Sequence, residues 1–501
     1  MSLADSLIEE THYLHLPYDI GSPFWTKAMS EQDESGDGIR HHADLTVSRR
    51  DVLRHGAAAM AGGAAILGGS RAFGQAPGVA TNTQTGRRFR AFLTLPGGRP
   101  RAIETVILRP IQAHQVVVRV EAAQACYTIT NLLAPAGPPP APPAGAAAPA
   151  NPPAPAAALT GHGAVGIVEA VGSGVRRVQV GDRVVVPVTA NCGQCWNCQR
   201  ERGDFCTAGA GRNNAPIGDL ADGTPVNYAL GGFAELLVSW EEQTVPVVTD
   251  VTPAELSLLT CVMTTGLGLA MKRMPVEPGT DVLVLGAGPL GLSAVQGARI
   301  QGANQIIVVE PVPYRRDLAT KVGATTVLDP NAFENIQALQ RRIVELCTPR
   351  LTRSFAGARG PVAGNGLGPY GPMFVLEAVG ADRFPPKVPT GPDPTGIQTQ
   401  MLAWNVCPTG GVIRTCGVGF PAGATVNIPA GQFSNAGKTH LPGNFAGVNT
   451  FRDIPQFTRL VEKRLFDAKS LVGQTFPLDR TRDALQLAAD RTSISGIVTP
   501  A

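Results

Sequence analysis

The sequence predicts an α/β protein in which a β-rich half precedes a doubly wound, parallel-sheet half. Three observations carry this reading. A continuous apolar run, Asp281-Val-Leu-Val-Leu285, leads into a glycine-rich turn and then a helical stretch. Short β-prone segments, punctuated by glycine and proline, occupy the chain between about residues 88 and 240. Within that part, Cys192, Cys195, Cys198 and Cys206 are spaced C-x2-C-x2-C-x7-C, the signature of a small clasped lobe.

Composition bounds the rest. With 501 residues, 44% hydrophobic and 16% charged, the chain can bury a large core and divides into more than one domain. A net charge of +3 supplies no basic surface of the kind that binds nucleic acid. Glycine (58) and proline (43) are in excess, which predicts many turns and long loops. Of the 8 histidines only His114, His162 and His440 lie beyond residue 76, so a histidine-rich metal site is excluded from the main body.

Residues 1–75 read as a leader. Ser48-Arg49-Arg50-Asp51-Val52-Leu53-Arg54 precedes an uncharged alanine- and glycine-rich stretch, Gly56 to Gly69. That stretch falls short of the roughly 20 strongly apolar residues a membrane span needs, so no permanent span is expected in the mature form. It resembles a twin-arginine export signal, with small-x-small cleavage sites at Ala72–Gly74 or Gly74–Ala76. The competing reading is a basic amphipathic helix followed by a flexible linker, in a cytoplasmic protein.

The β-rich half begins with strand-like Ala91–Leu93 and Val116–Val120. Residues 134–157 are an alanine and proline run that cannot sustain helix or ladder hydrogen bonding, and they separate Cys126 from His162. Val184–Val188 is a strand that enters the cysteine lobe, and Gly231–Val238 suggests another. Four thiols this close point to tetrahedral zinc, at about 2.3 Å from each sulfur, rather than to a pair of disulfides. The glycine, asparagine and charged residues between them describe an exposed lobe and not a core strand.

From residue 281 the period changes. Gly286-Ala-Gly288-Pro-Leu-Gly291 follows the apolar strand, then comes a helix from Leu290 to about Gln301, then a strand at Ile306–Val309 ending in Glu310. This is the strand, glycine turn, helix, strand order of a Rossmann dinucleotide fold. Gly286 permits the turn, Gly288 lets the pyrophosphate approach the backbone, and Gly291 lets helix and strand pack closely. Glu310 can accept ribose hydroxyls of NAD and would repel a 2′-phosphate, while Arg315 and Arg316 soften that preference. Further elements follow: a strand at Thr326–Leu328, a helix at Ala332–Cys347, and strands at Met373–Glu377 and Val412–Val418. Loops at 353–371 and 380–396 are inserted between them.

On Cys126-x-Thr128, Gly161-His162, Val180–Val186, the four-cysteine lobe, Cys261 with Thr264-Thr265-Gly266, and the Gly286 turn, the chain from about residue 88 onward resembles the zinc-containing medium-chain alcohol dehydrogenase family. The resemblance implies a GroES-like β-rich catalytic domain made from both chain ends (76–261 and 436–501), around a Rossmann domain at 262–435, with the active site between them. It implies two zinc ions per chain: a structural one on Cys192, Cys195, Cys198 and Cys206, and a catalytic one on Cys126, His162 and Cys261. Three protein ligands leave a fourth position for water or a substrate oxygen. The resemblance also implies that Thr128 is the hydroxyl that takes the alcohol proton and that Thr265 packs near the nicotinamide, although a threonine at a helix start is as often a simple cap. Cys347, Cys407 and Cys416 read as packing residues.

Two departures stand out. Ile129 occupies a place where relatives commonly carry aspartate, and Gly163 one where they carry glutamate. Carboxylates there would orient the metal-bound histidine. Asn131, where some relatives place a relay histidine, cannot titrate near neutral pH. Where some relatives set a cation against the pyrophosphate, this chain has Ile494-Ser495-Gly496-Ile497, with Arg491 nearby.

The expected activity is hydride transfer between a small alcohol or aldehyde and NAD. Export implies that NAD is tightly bound and reoxidised in place by a second substrate or redox partner. A homodimer or homotetramer is the family expectation. Two alternatives stay open: a sugar or polyol dehydrogenase of the same fold, and a non-enzymatic protein with a decayed site.

Overall fold

The computed structural model describes residues 84–134, 155–209, 215–347, 370–381, 396–421 and 423–500. The leader with Arg49 and Arg50, most of the proline-rich run and most of both inserted loops lie outside the described residues.

The β-rich half contains a closed five-stranded barrel and a seven-stranded sheet. Its organising element is the strand Gln115–Ala125, longer than the Val116–Val120 core read from the sequence. Four of its first six side chains are valine, which suits a strand buried on both faces. It pairs antiparallel with Ala164–Val171 on one side and Leu236–Trp240 on the other. Its last residues pair with Gly496–Thr499, with Ala125 opposite Gly496 and Gln124 opposite Ile497. The C-terminal segment is thereby stitched beside the residues that lead out to Cys126.

The second half is a six-stranded parallel sheet in the order Thr326–Leu328, Gln305–Val309, Asp281–Leu285, Phe374–Glu377, Val412–Thr415, Thr439–Pro442. The strand order reverses beside Asp281–Leu285, and ligands of open α/β sheets bind outside the strand ends at such a point. Gly286 follows that strand directly. The sheet runs past the boundary read at residue 435, because Thr439–Pro442 adds the sixth strand. That strand alternates half-buried and exposed residues and ends in proline, so it carries no hydrophobic signal. The helix expected over Ala332–Cys347 begins at Ile336, after a separate turn at Pro330–Ala332.

The helix Val262–Met271, which starts immediately after Cys261, lies against the helix Pro289–Ile300 that follows the glycine turn. Small residues allow the close approach: a Cβ on Gly266 would meet Leu290 O at 2.3 Å, and one on Gly297 would meet the Ala270 Cβ at 2.8 Å. This contact fixes the spacing between a thiol of the β-rich half and the dinucleotide turn. At its other end the helix is capped by Arg414, which is fully buried. The guanidinium donates to the carbonyls of Gly268 (3.0 Å), Leu269 (2.9 Å) and Lys272, and to Ala446 O (2.8 Å). Burial lowers the Arg414 pKa to about 10, so it remains charged at neutral pH. Among the described residues no single helix is long and apolar enough to cross a membrane.

Candidate active site

Cys126 stands at the exit of the strand Gln115–Ala125, His162 in the turn before Ala164–Val171, and Cys261 at the start of the helix Val262–Met271. Their donor atoms lie within 4.8 Å of one another, and both cysteines are buried. The two thiols titrate as a pair. The hydrogen bond with Cys261, helped by His162 and Thr128, holds Cys126 well below its ordinary value, while sharing that proton with Cys126 and burial push Cys261 well above it. One thiolate is thus already favoured, and a divalent cation would draw off the second proton. Two sulfurs and an imidazole nitrogen at this separation fit zinc, leaving one face open. Thr128 Oγ1 donates to Cys126 Sγ at 3.2 Å and lies 3.5 Å from His162 Nδ1. Thr265, expected beside the nicotinamide, is buried next to Cys261, and its N–H donates to the Cys261 carbonyl at 2.8 Å.

The turn around His162 depends on glycine. Gly161 has φ +130° and Gly163 φ +85°. A Cβ at Gly163 would meet Val186 O at 2.1 Å, and one at Gly161 would meet Gly231 O at 2.1 Å. A glutamate at 163 is therefore barred by the backbone itself.

A cavity of about 560 Å³ joins this cluster to the glycine turn; Cys126 and Thr128 line it together with Gly286, Gly288, Glu310 and Arg315. Gly286 has φ +87°, Gly288 has no atom within 4 Å of where a Cβ would stand, and a Cβ on Gly291 would meet Gly286 O at 1.9 Å. Turn, open approach and close packing thus fall on the three glycines as the spacing predicted, and the helix start at Pro289 faces the cavity. Glu310 is buried, and its two oxygens accept from Ala287 N (2.6 Å) and Val312 N (2.9 Å). Each oxygen keeps a second lone pair for a ribose hydroxyl. Arg315 Nε donates to the Tyr314 hydroxyl at 3.0 Å, while Arg316 turns away to Asp329.

In the cysteine lobe all four sulfurs also lie within 4.8 Å of one another. Backbone N–H groups of Gln194 and Cys195 point at Cys192 Sγ, and those of Cys198 and Cys192 at Cys195 and Cys206. Burial opposes ionisation of Cys195, but N–H donors from Cys198 and Thr207 bring it to about 6. Burial and the neighbouring thiols push Cys198 up to about 12. Such mutual suppression is relieved by a cation shared among the sulfurs. All nine cysteines are free thiols, so the disulfide alternative does not describe this lobe.

Sequence reasoning missed part of the cavity wall. Cys416, read as a packing residue, lines it, with its thiol donating to Gly443 O at 3.0 Å and pushed up to about 12 by burial. Cys347 and Cys407 are buried away from it. Gln124, Tyr127 and Ser493 line it as well. Gln124 stands two residues before Cys126, but the strand Gln115–Ala125 ends between them and nothing in the sequence singled it out.

Comparison with known proteins places this architecture. Residues 112–249 match the alcohol dehydrogenase GroES-like domain, and residues 289–388 the zinc-binding dehydrogenase domain. The chain is 30% identical to S-(hydroxymethyl)glutathione dehydrogenase of Synechocystis over 277 residues, 53% of this chain and 70% of that protein. It belongs to the zinc-binding medium-chain alcohol dehydrogenase family. The namesake from Escherichia coli, also 30% identical, is matched over 49% of this chain and only 65% of its own length. NDMA-dependent alcohol dehydrogenase of Amycolatopsis methanolica is 27% identical over 80% of this chain and 96% of its own. Benzyl alcohol dehydrogenase from Acinetobacter calcoaceticus superposes with a TM-score of 0.64 at 25% identity, covering 83% of this chain and 100% of that one.

Proposed function

We propose that this chain is a zinc-dependent oxidoreductase that transfers a hydride between a small alcohol or aldehyde and NAD. One observation carries the reading: Cys126, a member of the Cys126–His162–Cys261 cluster, and the Gly286 turn line a single cavity. When bound, zinc supplies Lewis acidity toward the substrate oxygen and the nicotinamide supplies the hydride acceptor. The chain's own residues do the rest. Thr128, on the cavity wall beside Cys126, takes the hydroxyl proton. Val262 and Ile494 add apolar surface to the cavity that Cys126 and Thr128 line, which suits a simple alcohol better than a polyol. With Ile129 and Asn131 in place of titrating groups, neither of these side chains can take the proton onward from Thr128.

Retention of NAD, with reoxidation by a second substrate or redox partner, is part of this proposal. Similarity to a relative named for dependence on NDMA, across 96% of that relative, supports it. An export role for the Arg49-Arg50 segment, part of the same proposal, would require such retention, since free NAD is scarce outside the cytoplasm. The test is elemental and nucleotide analysis of gently purified protein, with an assay of primary alcohols. Two zinc ions and one nucleotide per chain with alcohol oxidation are expected. Zinc confined to the cysteine lobe, with no turnover, would favour a decayed binding protein.

A further inference from the structure

We propose that Glu377 is a positioning residue that biases the bound dinucleotide toward its oxidised form: its buried carboxylate stands behind the cavity wall and favours the cationic nicotinamide ring over the neutral, reduced one. This rests on the dinucleotide reading above. Glu377 ends the strand Phe374–Glu377 and is 0% exposed. It does not itself line the cavity, whereas Val379, Thr399, Gly417 and Val418 around it do.

The carboxylate is held by donors from three segments of the chain. Oε1 accepts from the N–H groups of Val379 (2.9 Å) and Gly380 (3.2 Å), and Oε2 from Gly417 N (3.2 Å) and Gln400 Nε2 (2.7 Å). Glycine makes the approach possible. A Cβ on Gly417 would meet Glu377 Oε2 at 2.6 Å, and one on Gly380, at φ +69°, would meet Val418 N at 2.5 Å. Burial raises the Glu377 pKa, and the N–H groups of Val379, Gly380 and Gly417 oppose that rise. Every partner within 3.2 Å is a donor, and the Thr399 hydroxyl at 3.5 Å is too distant to bond strongly. A proton on either oxygen would therefore find no good acceptor, so the surroundings fit the ionised form. None of these partners carries a charge. The negative charge is held by dipoles alone, and its field reaches the cavity.

The sheet order sets this charge at the nicotinamide half. Glu310, the ribose acceptor, follows the strand Gln305–Val309 on one side of Asp281–Leu285, and Glu377 ends the strand on the other side. A dinucleotide lying across the Gly286 turn with its adenosine at Glu310 places its nicotinamide on the Glu377 side. The oxidised ring carries a positive charge that the reduced ring lacks, while adenosine and diphosphate are the same in both. A fixed negative charge at this end thus discriminates between the two redox states.

The experiment measures Kd for NAD, NADH and ADP-ribose by calorimetry on the zinc-replete full chain after exchange of any retained nucleotide, alongside thermal melting. The proteins are the wild type, Glu377→Gln, Glu377→Asp and Gln400→Lys. Glu377→Gln should raise the ratio of the NAD Kd to the NADH Kd roughly tenfold, with ADP-ribose unchanged. That is a rise of about 30 mV in the potential of the bound pair. Gln400→Lys sets an ammonium against the carboxylate and leaves Glu377 and its backbone donors in place, so it should move the ratio the same way. Glu377→Asp keeps the charge and should keep the wild-type ratio even if it melts lower. The proposal is overturned if the ratio in Glu377→Gln, or in Gln400→Lys should Glu377→Gln not fold, equals that of the wild type. It is equally overturned if Glu377→Asp shifts the ratio as far as Glu377→Gln, or if all three ligands weaken in parallel, because Glu377 would then serve the fold alone. A wild type that binds neither NAD nor ADP-ribose would sink the dinucleotide reading itself, and this inference with it.

Discussion

Substituting Gly163 should damage the His162 site even when the new residue is the acid that relatives carry. Two costs add. A side chain at φ +85° is strained by about 1–2 kcal/mol. The new Cβ would also stand 2.1 Å from Val186 O, where 3.0 Å is the shortest contact real Cβ atoms make. Val186 cannot retreat freely, because it pairs with Ala164 in the sheet. Gly163 cannot either, because its N–H donates to Gly231 O at 3.1 Å. Relieving the overlap adds about 1–3 kcal/mol of overpacking strain, for a total of about 2–5 kcal/mol. Any shift of residue 163 moves His162. Urea unfolding of Gly163→Ala and Gly163→Glu, with zinc measured on the folded protein, reads both effects. The unfolding midpoint should drop, and zinc should fall from two ions per chain toward one. An unchanged midpoint with full zinc in Gly163→Ala would refute the steric argument, and higher zinc affinity in Gly163→Glu would show that the acid can be accommodated.

Replacing Arg414 with methionine should cost about 3 kcal/mol or more, because it uncaps the buried carbonyls of Gly268, Leu269, Lys272 and Ala446; a neutral urea midpoint would contradict the capping role. Cys195→Ser should remove one zinc ion per chain and open residues 192–206 to protease, while the ion at Cys126 stays; loss of both ions together would show the sites to be coupled. Asp453 is buried, yet donors from Arg452, Lys272 and Asn449 outweigh burial and hold its carboxyl below the usual 3.8. Its folded pKa is depressed, so its stabilisation is complete above about pH 4 and lost as pH falls through the folded value. Asp453→Asn should accordingly destabilise the protein at pH 7 by about 3–5 kcal/mol, and the gap in melting temperature should narrow in acid; a gap independent of pH would refute the assignment.

The parallel sheet was largely legible because its strands are continuous apolar runs joined by one diagnostic turn. Its last strand, Thr439–Pro442, was not, being a half-exposed edge with a terminal proline. In the β-rich half, Ala157–Leu159, Pro216–Asp219 and Pro225–Asn227 have three or four residues each, too few to show a period. The metal clusters were legible because cysteine and histidine are scarce and their spacing distinctive. The rest of the cavity wall was not. Gln124, Tyr127 and Arg491 belong to common residue types, and only the pairing of residues 123–125 with 496–498 brings them together.

The two absent carboxylates beside the Cys126 site have different physical causes. At residue 163 the backbone forbids a side chain. At residue 129 an apolar one is in use: partly buried Ile129 packs against both large cores, that of the β-rich half and that reaching into the parallel sheet, and an aspartate would lose those contacts. His162 is left without an acid from either position, and Thr128 at 3.5 Å is too distant to fix the ring strongly. Interlocked backbone does so instead. A Cβ at Gly232 would meet Gly163 O at 2.3 Å, just as one at Gly161 would meet Gly231 O, so the two glycine turns clasp each other on either side of the histidine. Orientation by packing brings no negative charge with it. A cation bound by two thiolates and a neutral imidazole is balanced by its own ligands alone, and the cavity in front of it is more favourable to an anionic oxygen than it would be with a carboxylate behind the ring.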